Sequence, residues 1–225
     1  MKYDLIIFDM DGLMFDTEIF YYKSWKAFED KYNFRFDIAT RNRIAGMNED
    51  NVRDEFAKIL GDYDKAKNLR DEINAYRKKG LKNYKDSIKK AGLVELLVFL
   101  KENGIRACIA SSSDKEKILY LIEKENIEDY FDFVVSGGDF ENSKPNPEIF
   151  EKTAQIANVD KSRALILEDS HNGYLAAKAS GIDYLIIHDK SFERTFIADR
   201  EVDSLLDVID YIKEWYIYYL YINYK

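Results

Sequence analysis

The chain reads as an α/β protein built on a parallel sheet, with a helical unit inserted near its start. Two observations predict the sheet. Apolar runs of strand length stand at residues 5–8, 106–110, 133–135, 164–167 and 184–187. The later four are separated by helix-compatible stretches at 115–125, 147–157 and 172–180. Strands alternating with helices give a parallel sheet covered on both faces, a doubly wound, Rossmann-like core. A third observation predicts the insertion. Residues 16–90 carry many charges and several helical patterns but no convincing strand. A stretch of about 70 residues between two strands of one sheet is too long for a loop. The expected organisation is an α/β core from residues 1–15 and 91–225, and a helical cap from 16–90.

Each element has a local reason. Leu5-Ile6-Ile7-Phe8 is a short apolar run closed by Asp9-Met10-Asp11-Gly12, a buried strand ending in a turn. In the insertion, Phe20, Trp25 and Phe28 form one possible apolar stripe, and Val52, Phe56, Ile59 and Leu60 another. Arg77-Lys78-Lys79 reads as a solvated helix end. Cys108 lies within the second strand, a core position. Gly104, Gly137-Gly138 and Gly181 fall between elements, and Glu148 after Pro147 is a good helix start. His171 reads as a solvent-facing helix start and His188 as a structural residue at a strand end.

Composition narrows the function. The formal net charge of −8 argues against a dedicated nucleic-acid binder, which would present a basic face. A single cysteine excludes an internal disulfide and a cysteine-rich metal site. The first apolar run is too short and too interrupted by Asp4, Asp9 and Asp11 for a signal peptide. The aromatic run at 215–222 is too short to span a bilayer. The expectation is a soluble, cytoplasmic monomer that meets neither membrane nor nucleic acid. Its aromatic C-terminus offers a surface for weak self-association.

The chemistry lies at the strand ends. Two carboxylates two residues apart, Asp9 and Asp11, are costly to hold together without a cation or a shared proton. A second apolar run, Ala164-Leu165-Ile166-Leu167, ends in Glu168-Asp169-Ser170. Parallel α/β sheets bind ligands outside the carboxyl ends of their strands. Carboxylates converging there, with few His and no Cys cluster, describe a hard, oxygen-ligated cation. Mg²⁺ fits best, because it takes few carboxylates, keeps waters and bridges to phosphate.

These residues bear a family resemblance that spans essentially the whole chain. Asp9-Met10-Asp11-Gly12-Leu13, Ser111 after its strand, Lys144 in Ser143-Lys144-Pro145-Asn146-Pro147, and Glu168-Asp169-Ser170 stand in order. Together they resemble the four motifs of the haloacid dehalogenase-like hydrolase superfamily. The branch it resembles is that of phosphatases and β-phosphoglucomutase-like enzymes, whose helical cap follows the first motif. The resemblance implies Asp9 as a nucleophile forming an aspartyl phosphate, and Asp11 as general acid and base. It implies that Ser111 and Lys144 hold the phosphate. Mg²⁺ would sit on Asp9, the Asp11 backbone carbonyl and Asp169, with Glu168 a ligand through water or an orienting neighbour. Gly46-Met47-Asn48-Glu49-Asp50 resembles the family's substrate-facing loop.

The implied function is a Mg²⁺-dependent phosphatase of a small phosphorylated metabolite, such as a sugar or nucleotide phosphate. The alternative is a β-phosphoglucomutase-like sugar phosphomutase. Two positions depart from the mutase pattern: Tyr21 stands where the mutase has a His, and Glu49 stands near its phosphate-gripping Arg. The charge of Glu49 is expected to repel a second phosphate, unless Arg43 or Arg53 reaches in. Asp11 argues against dehalogenase chemistry. Retention of Asp9, Asp11, Lys144 and Asp169 argues against a silent binding protein.

Overall fold

The structure is a computed structural model that describes residues 2–188, 190 and 196–223, with 215–223 described by backbone alone. Strands β1 (Leu5–Phe8), β2 (Arg106–Ser111), β3 (Val134–Ser136), β4 (Ala164–Glu168), β5 (Asp183–Ile187) and β6 (Glu201–Val202) form one sheet. Its order is β3-β2-β1-β4-β5-β6 and every pairing is parallel. β1 is central, with Leu5 opposite Arg106 on one side and Ala164 on the other. The chain first builds β2 and β3 on one side of β1, then crosses to β4 and β5. The switch of direction beside β1 opens a crevice at the carboxyl ends of the strands.

Strand residues alternate cleanly between the two faces. Ile6, Phe8, Ile109, Leu165 and Leu167 pack under α6 (Leu93–Glu102), α7 (Lys115–Lys124) and the start of α10 (Leu205–Asn223). Leu5, Ile7, Cys108, Ala110 and Ile166 pack under α8 (Glu148–Ala157) and α9 (His171–Ser180). Being buried on both faces, these strands read as continuous apolar runs. Cys108 is fully buried, and burial pushes its thiol well above the ordinary range, so it is inert packing. The expected α/β core is thus observed. The two-residue β6 was not foreseen, because Glu201-Val202 lacks an apolar run and pairs only at the sheet edge.

Between β1 and β2 lie α1 (Glu18–Lys26), α2 (Glu29–Tyr32), α3 (Ile38–Ile44), α4 (Glu49–Leu60) and α5 (Tyr63–Asn83). They bury a separate apolar cluster of their own around Trp25, Phe34, Phe36 and Phe56. Trp25 stacks on Phe56 at 4.1 Å and on Phe36 at 5.1 Å. This is the helical cap. Asp37, Asn48 and Asp62 each accept a hydrogen bond from the backbone N–H three residues on, which starts α3, α4 and α5.

The apolar stripes are corrected in part. Val52 and Phe56 are buried, but Ile59 is 39 % exposed. Phe20 packs toward the sheet's core rather than with Trp25, because it lies against Gly80 at the far end of α5. His171 opens α9 and is exposed; His188 follows β5 and its Nε2 lies 3.0 Å from Glu201 Oε2. The aromatic run 215–222 falls in α10, with its side chains outside the described residues. Among the described residues no helix is long and apolar enough to cross a membrane.

Candidate active site

The carboxyl ends of β1, β2 and β4 meet at one point. The backbone N–H of Asp9 donates to the Leu167 carbonyl at 2.9 Å, extending the ladder past Phe8 and setting Asp9 beside the end of β4. Lys144 reaches the same place from the loop between β3 and α8. It is 1 % exposed, and its Nζ donates to Asp9 Oδ1 at 2.5 Å and Glu168 Oε1 at 2.7 Å. Burial lowers its hold on the proton, but Asp9 and Glu168 outweigh burial and raise it above the ordinary lysine range.

Glu168 is locked from its other side. Its Oε2 accepts the backbone N–H groups of Asp169 and Ser170 at 2.7 and 2.8 Å, ahead of α9. Gly173 permits this approach, since a Cβ there would stand 1.8 Å from Glu168 Oε1.

One oxygen from each of Asp9, Glu168 and Asp169 lies within 4.8 Å of the others, and all three residues are buried. One ammonium does not balance three carboxylates. Burial and the neighbouring Glu168 accordingly push Asp9 up to about 7, against the pull of Lys144. Gly12 makes room for Asp169: its φ is +86°, and a Cβ there would meet Asp169 Oδ2 at 2.2 Å. An all-oxygen, buried, net-negative donor set without His or Cys fits a hard divalent cation.

The Asp11 side chain stands apart from that cluster. Its Oδ1 accepts from Thr17 Oγ1 at 2.8 Å, and its Oδ2 from Ser113 Oγ at 2.6 Å and Lys117 Nζ at 2.7 Å. Burial would raise this carboxyl, yet Lys117, Ser113 and Thr17 together hold it below the usual carboxylate range. Lys117 and Thr17 were not foreseen from the sequence. The available signal was spacing: Ser113 and Lys117 are four apart, and Lys117 Nζ indeed lies 2.5 Å from Ser113 Oγ.

Ser111 ends β2, is buried, and accepts from the Ser113 backbone N–H at 3.2 Å. Asp114 precedes α7 without a side-chain cap bond. Of the three serines, Ser113 reaches a side chain of the site, that of Asp11. Ser112 Oγ donates to the Gly46 carbonyl at 2.7 Å, tying core to cap.

Between core and cap lies a cavity of about 650 Å³ that Asp9, Asp11, Ser111 and Lys117 line from below. From the cap, Gly46, Met47 and Glu49 of the expected loop line it, but Asn48 and Asp50 do not. Glu49 does not present a bare charge. Arg70 grips it with Nε on Oε1 at 2.9 Å and Nη2 on Oε2 at 2.5 Å, and holds it below the usual range although burial opposes this. The repulsion expected from Glu49 is thereby cancelled. Arg43 and Arg53, expected as possible sources of a cation, pair instead with Glu55 and Asp50. The cap's arginines at the cavity are Arg41 of α3, paired with Glu18, and Arg70 and Arg77 of α5. The run Arg77-Lys78-Lys79 is thus split: Lys78 is exposed, while Arg77 turns inward.

Comparison with known proteins identifies the family of the chain. A haloacid dehalogenase-like hydrolase family matches residues 6–187. The chain is 29 % identical over 188 residues to a phosphorylated carbohydrates phosphatase of Thermotoga maritima, covering 82 % of this chain and 86 % of that one. It is 28 % identical over 184 residues to the fructose-1-phosphate phosphatase YqaB of Escherichia coli, covering 81 % and 95 %. The fold is similar to that of a crystal structure of β-phosphoglucomutase from Clostridium difficile. There the TM-score is 0.81 at 24 % identity, over 97 % of this chain and 99 % of that one. A match reaching from β1 to the end of β5 takes in every strand that carries a site residue, and so the chain belongs to the haloacid dehalogenase-like hydrolases.

Proposed function

We propose that the chain is a Mg²⁺-dependent phosphatase of a small phosphorylated sugar or related metabolite, acting through an aspartyl phosphate on Asp9. The observation that carries this reading is the placement of Asp9: it lines the cavity between core and cap while Lys144 holds its Oδ1. The similarity to phosphatases of phosphorylated carbohydrates and fructose 1-phosphate supports the substrate class.

In this reading the free oxygen of Asp9 attacks phosphorus and the ester P–O bond breaks. The leaving oxygen takes a proton from Asp11. Asp11 then takes a proton from the water that hydrolyses the aspartyl phosphate, which frees Asp9 and inorganic phosphate. Lys117 matters to both halves. In the structure it keeps Asp11 ionised, the form that activates water. An anionic substrate beside Lys117 competes for its ammonium and raises the proton affinity of Asp11, the form that serves the leaving group. Ser111 donates to a phosphoryl oxygen. Asp9, Asp169 and the Asp11 carbonyl would hold Mg²⁺, with Glu168 orienting, and the ion supplies charge neutralisation of the phosphoryl oxygens.

The test is phosphate release from p-nitrophenyl phosphate. Chelation should abolish it, Mg²⁺ should restore it, and Ca²⁺ should not, since its looser coordination misaligns the attack. Full turnover in excess chelator overturns the metal requirement.

One observation favours a second reading, transfer to a sugar hydroxyl. The cap is not acidic where a second phosphate would lie, because Arg70 neutralises Glu49. Incubation with β-glucose 1-phosphate and catalytic glucose 1,6-bisphosphate separates the two. The phosphatase reading expects free phosphate; rapid glucose 6-phosphate with little free phosphate establishes the mutase.

A further inference from the structure

Glu125 is a buried carboxylate that the reaction at Asp9 does not use. It closes α7, where its charge opposes the helix dipole. It is 4 % exposed, so burial opposes that charge as well. Ending the helix does not require it, because Asn126, at φ +55°, makes the left-handed turn that follows. The offset comes from the second of the two linkers that join cap and core. Glu125 Oε2 accepts from Ser87 Oγ at 2.6 Å, and its Oε1 accepts from the Ile88 backbone N–H at 3.2 Å. Lys89 Nζ donates to the Glu125 carbonyl at 2.8 Å and lies 3.3 Å from Oε2. Lys124 Nζ adds a longer contact to Oε1, at 3.4 Å. Burial would raise this carboxyl, yet Ser87, the Ile88 amide and Lys89 hold it below the usual range.

The linker held in this way is bonded in turn to the first one. The Ile88 carbonyl accepts the Asp16 backbone N–H at 2.8 Å, and the Met14 carbonyl accepts that of Lys90 at 2.8 Å. Thr17, next to Asp16 and 1 % exposed, donates from Oγ1 to Asp11 Oδ1 at 2.8 Å. A path therefore runs from Glu125 through Ile88, Asp16 and Thr17 to one oxygen of Asp11. The other oxygen is held by Ser113, just before α7, and by Lys117 in its first turn. Lys117 and Glu125 are eight residues apart on α7, about 12 Å along its axis. One helix thus fixes both oxygens of Asp11, directly at its start and through the two linkers at its end. Glu125 does not line the cavity, so any effect it has on the reaction passes through the residues it holds.

We propose that Glu125 is a positioning residue for Asp11: it fixes the second linker, and with it the first linker and Thr17, so that the Asp11 carboxyl stands where it can protonate the leaving oxygen. This rests on the phosphatase reading and adds to its machinery a residue that touches no substrate. The role predicts a dependence on the leaving group. p-Nitrophenolate departs without a proton. The phenolate of phenyl phosphate is more basic and needs one, so a displaced acid costs that ester more.

The measurement is kcat/KM for the two esters, and the ratio between them, in wild type, Glu125→Ala and Glu125→Gln. Glu125→Ala should lower the phenyl phosphate value by about 10–100-fold, the scale of a small misplacement of a catalytic group. It should lower the p-nitrophenyl phosphate value by much less. Glu125→Gln keeps an acceptor for the Ile88 amide and a partner for Ser87, and should restore most of the loss. Ser87→Ala removes one tether at an exposed position and should shift the ratio the same way by less. Equal losses for both esters in Glu125→Ala, or in Ser87→Ala should Glu125→Ala not fold, overturn the proposal and leave Glu125 a tie between α7 and the linker. Phosphate release by wild type judges the phosphatase reading separately. Should wild type release none, amide hydrogen exchange at Asp16 and Thr17 still decides. Faster exchange there in the folded variant than in wild type upholds the path to Asp11; unchanged exchange overturns it.

Discussion

Replacing Asp9 by Asn should lower phosphate release by about 10⁴-fold or more, the scale of losing a nucleophile, while raising the stability of the metal-free protein. The two effects share one cause. Asp9 is 7 % exposed, shares its site with Glu168 and Asp169, and has only Lys144 to offset them. In the folded chain its carboxyl is pushed up to about 7 from an ordinary 3.8. The folded state thus binds that proton more tightly than the unfolded state, and stability falls as pH rises from about 4 through 7. Asn carries no such charge. The variant should therefore match wild type near pH 4 and exceed it at pH 8 by a gap on the order of 2–4 kcal/mol. Thermal unfolding in chelator at the two pH values reads this, and Mg²⁺ should narrow the gap at pH 8 by stabilising wild type more. Wild-type turnover by freshly purified Asp9→Asn would remove Asp9 from the nucleophile's role. A variant less stable than wild type at pH 8 would show that the Lys144 pair outweighs the carboxylate repulsion.

Much of the core was legible because its signals are local. Leu5–Phe8 is a strand buried on both faces, so its four residues are all apolar and its end is marked by Asp9. The same holds for Ala164–Glu168, where the last strand residue is the site glutamate. Two strands that end in carboxylates and neighbour each other in the sheet must bring those carboxylates together. What stayed hidden depends on contacts between elements far apart in the chain. Nothing around Lys117 says that it meets Asp11, 106 residues earlier. Glu49 alone reads as a repulsive charge, and only the packing of α4 against α5 supplies Arg70. Arg77 in a basic run on a strongly polar helix reads as solvated. Its inward turn follows from Ser24 and Tyr21 on α1, which close over that face of α5. The lesson is specific to caps. On α5 the cavity-lining Arg70, Asn74 and Arg77 are polar, so no apolar stripe separates that stretch from a face that meets water.

Replacing Lys144 by Met should be the most damaging change that leaves the nucleophile in place. The side chain is enclosed, with Asp9 on one side, Glu168 on the other and the Phe150 ring 4.7 Å from its Nζ. Met fills a similar volume but takes away the one positive charge, leaving two buried carboxylates facing each other. Breaking a buried ion pair by removing one partner costs about 3–5 kcal/mol, because the survivor is left uncompensated. Loss of a charge aimed at the reacting group should lower kcat by about 10²–10³-fold. These effects separate in a double-mutant cycle. If the damage to stability is electrostatic, Asp9→Asn added to Lys144→Met should recover a substantial part of it, by removing one of the two carboxylates that Lys144 had neutralised. If Lys144 instead acts through the packing of its stem on Phe150, the two losses will simply add. Mg²⁺ offers an independent readout. A cation at Asp9 and Asp169 relieves part of the same repulsion, so it should stabilise Lys144→Met more than wild type. Equal stabilisation of the two would mean that Lys144 and the metal do not answer to the same carboxylates.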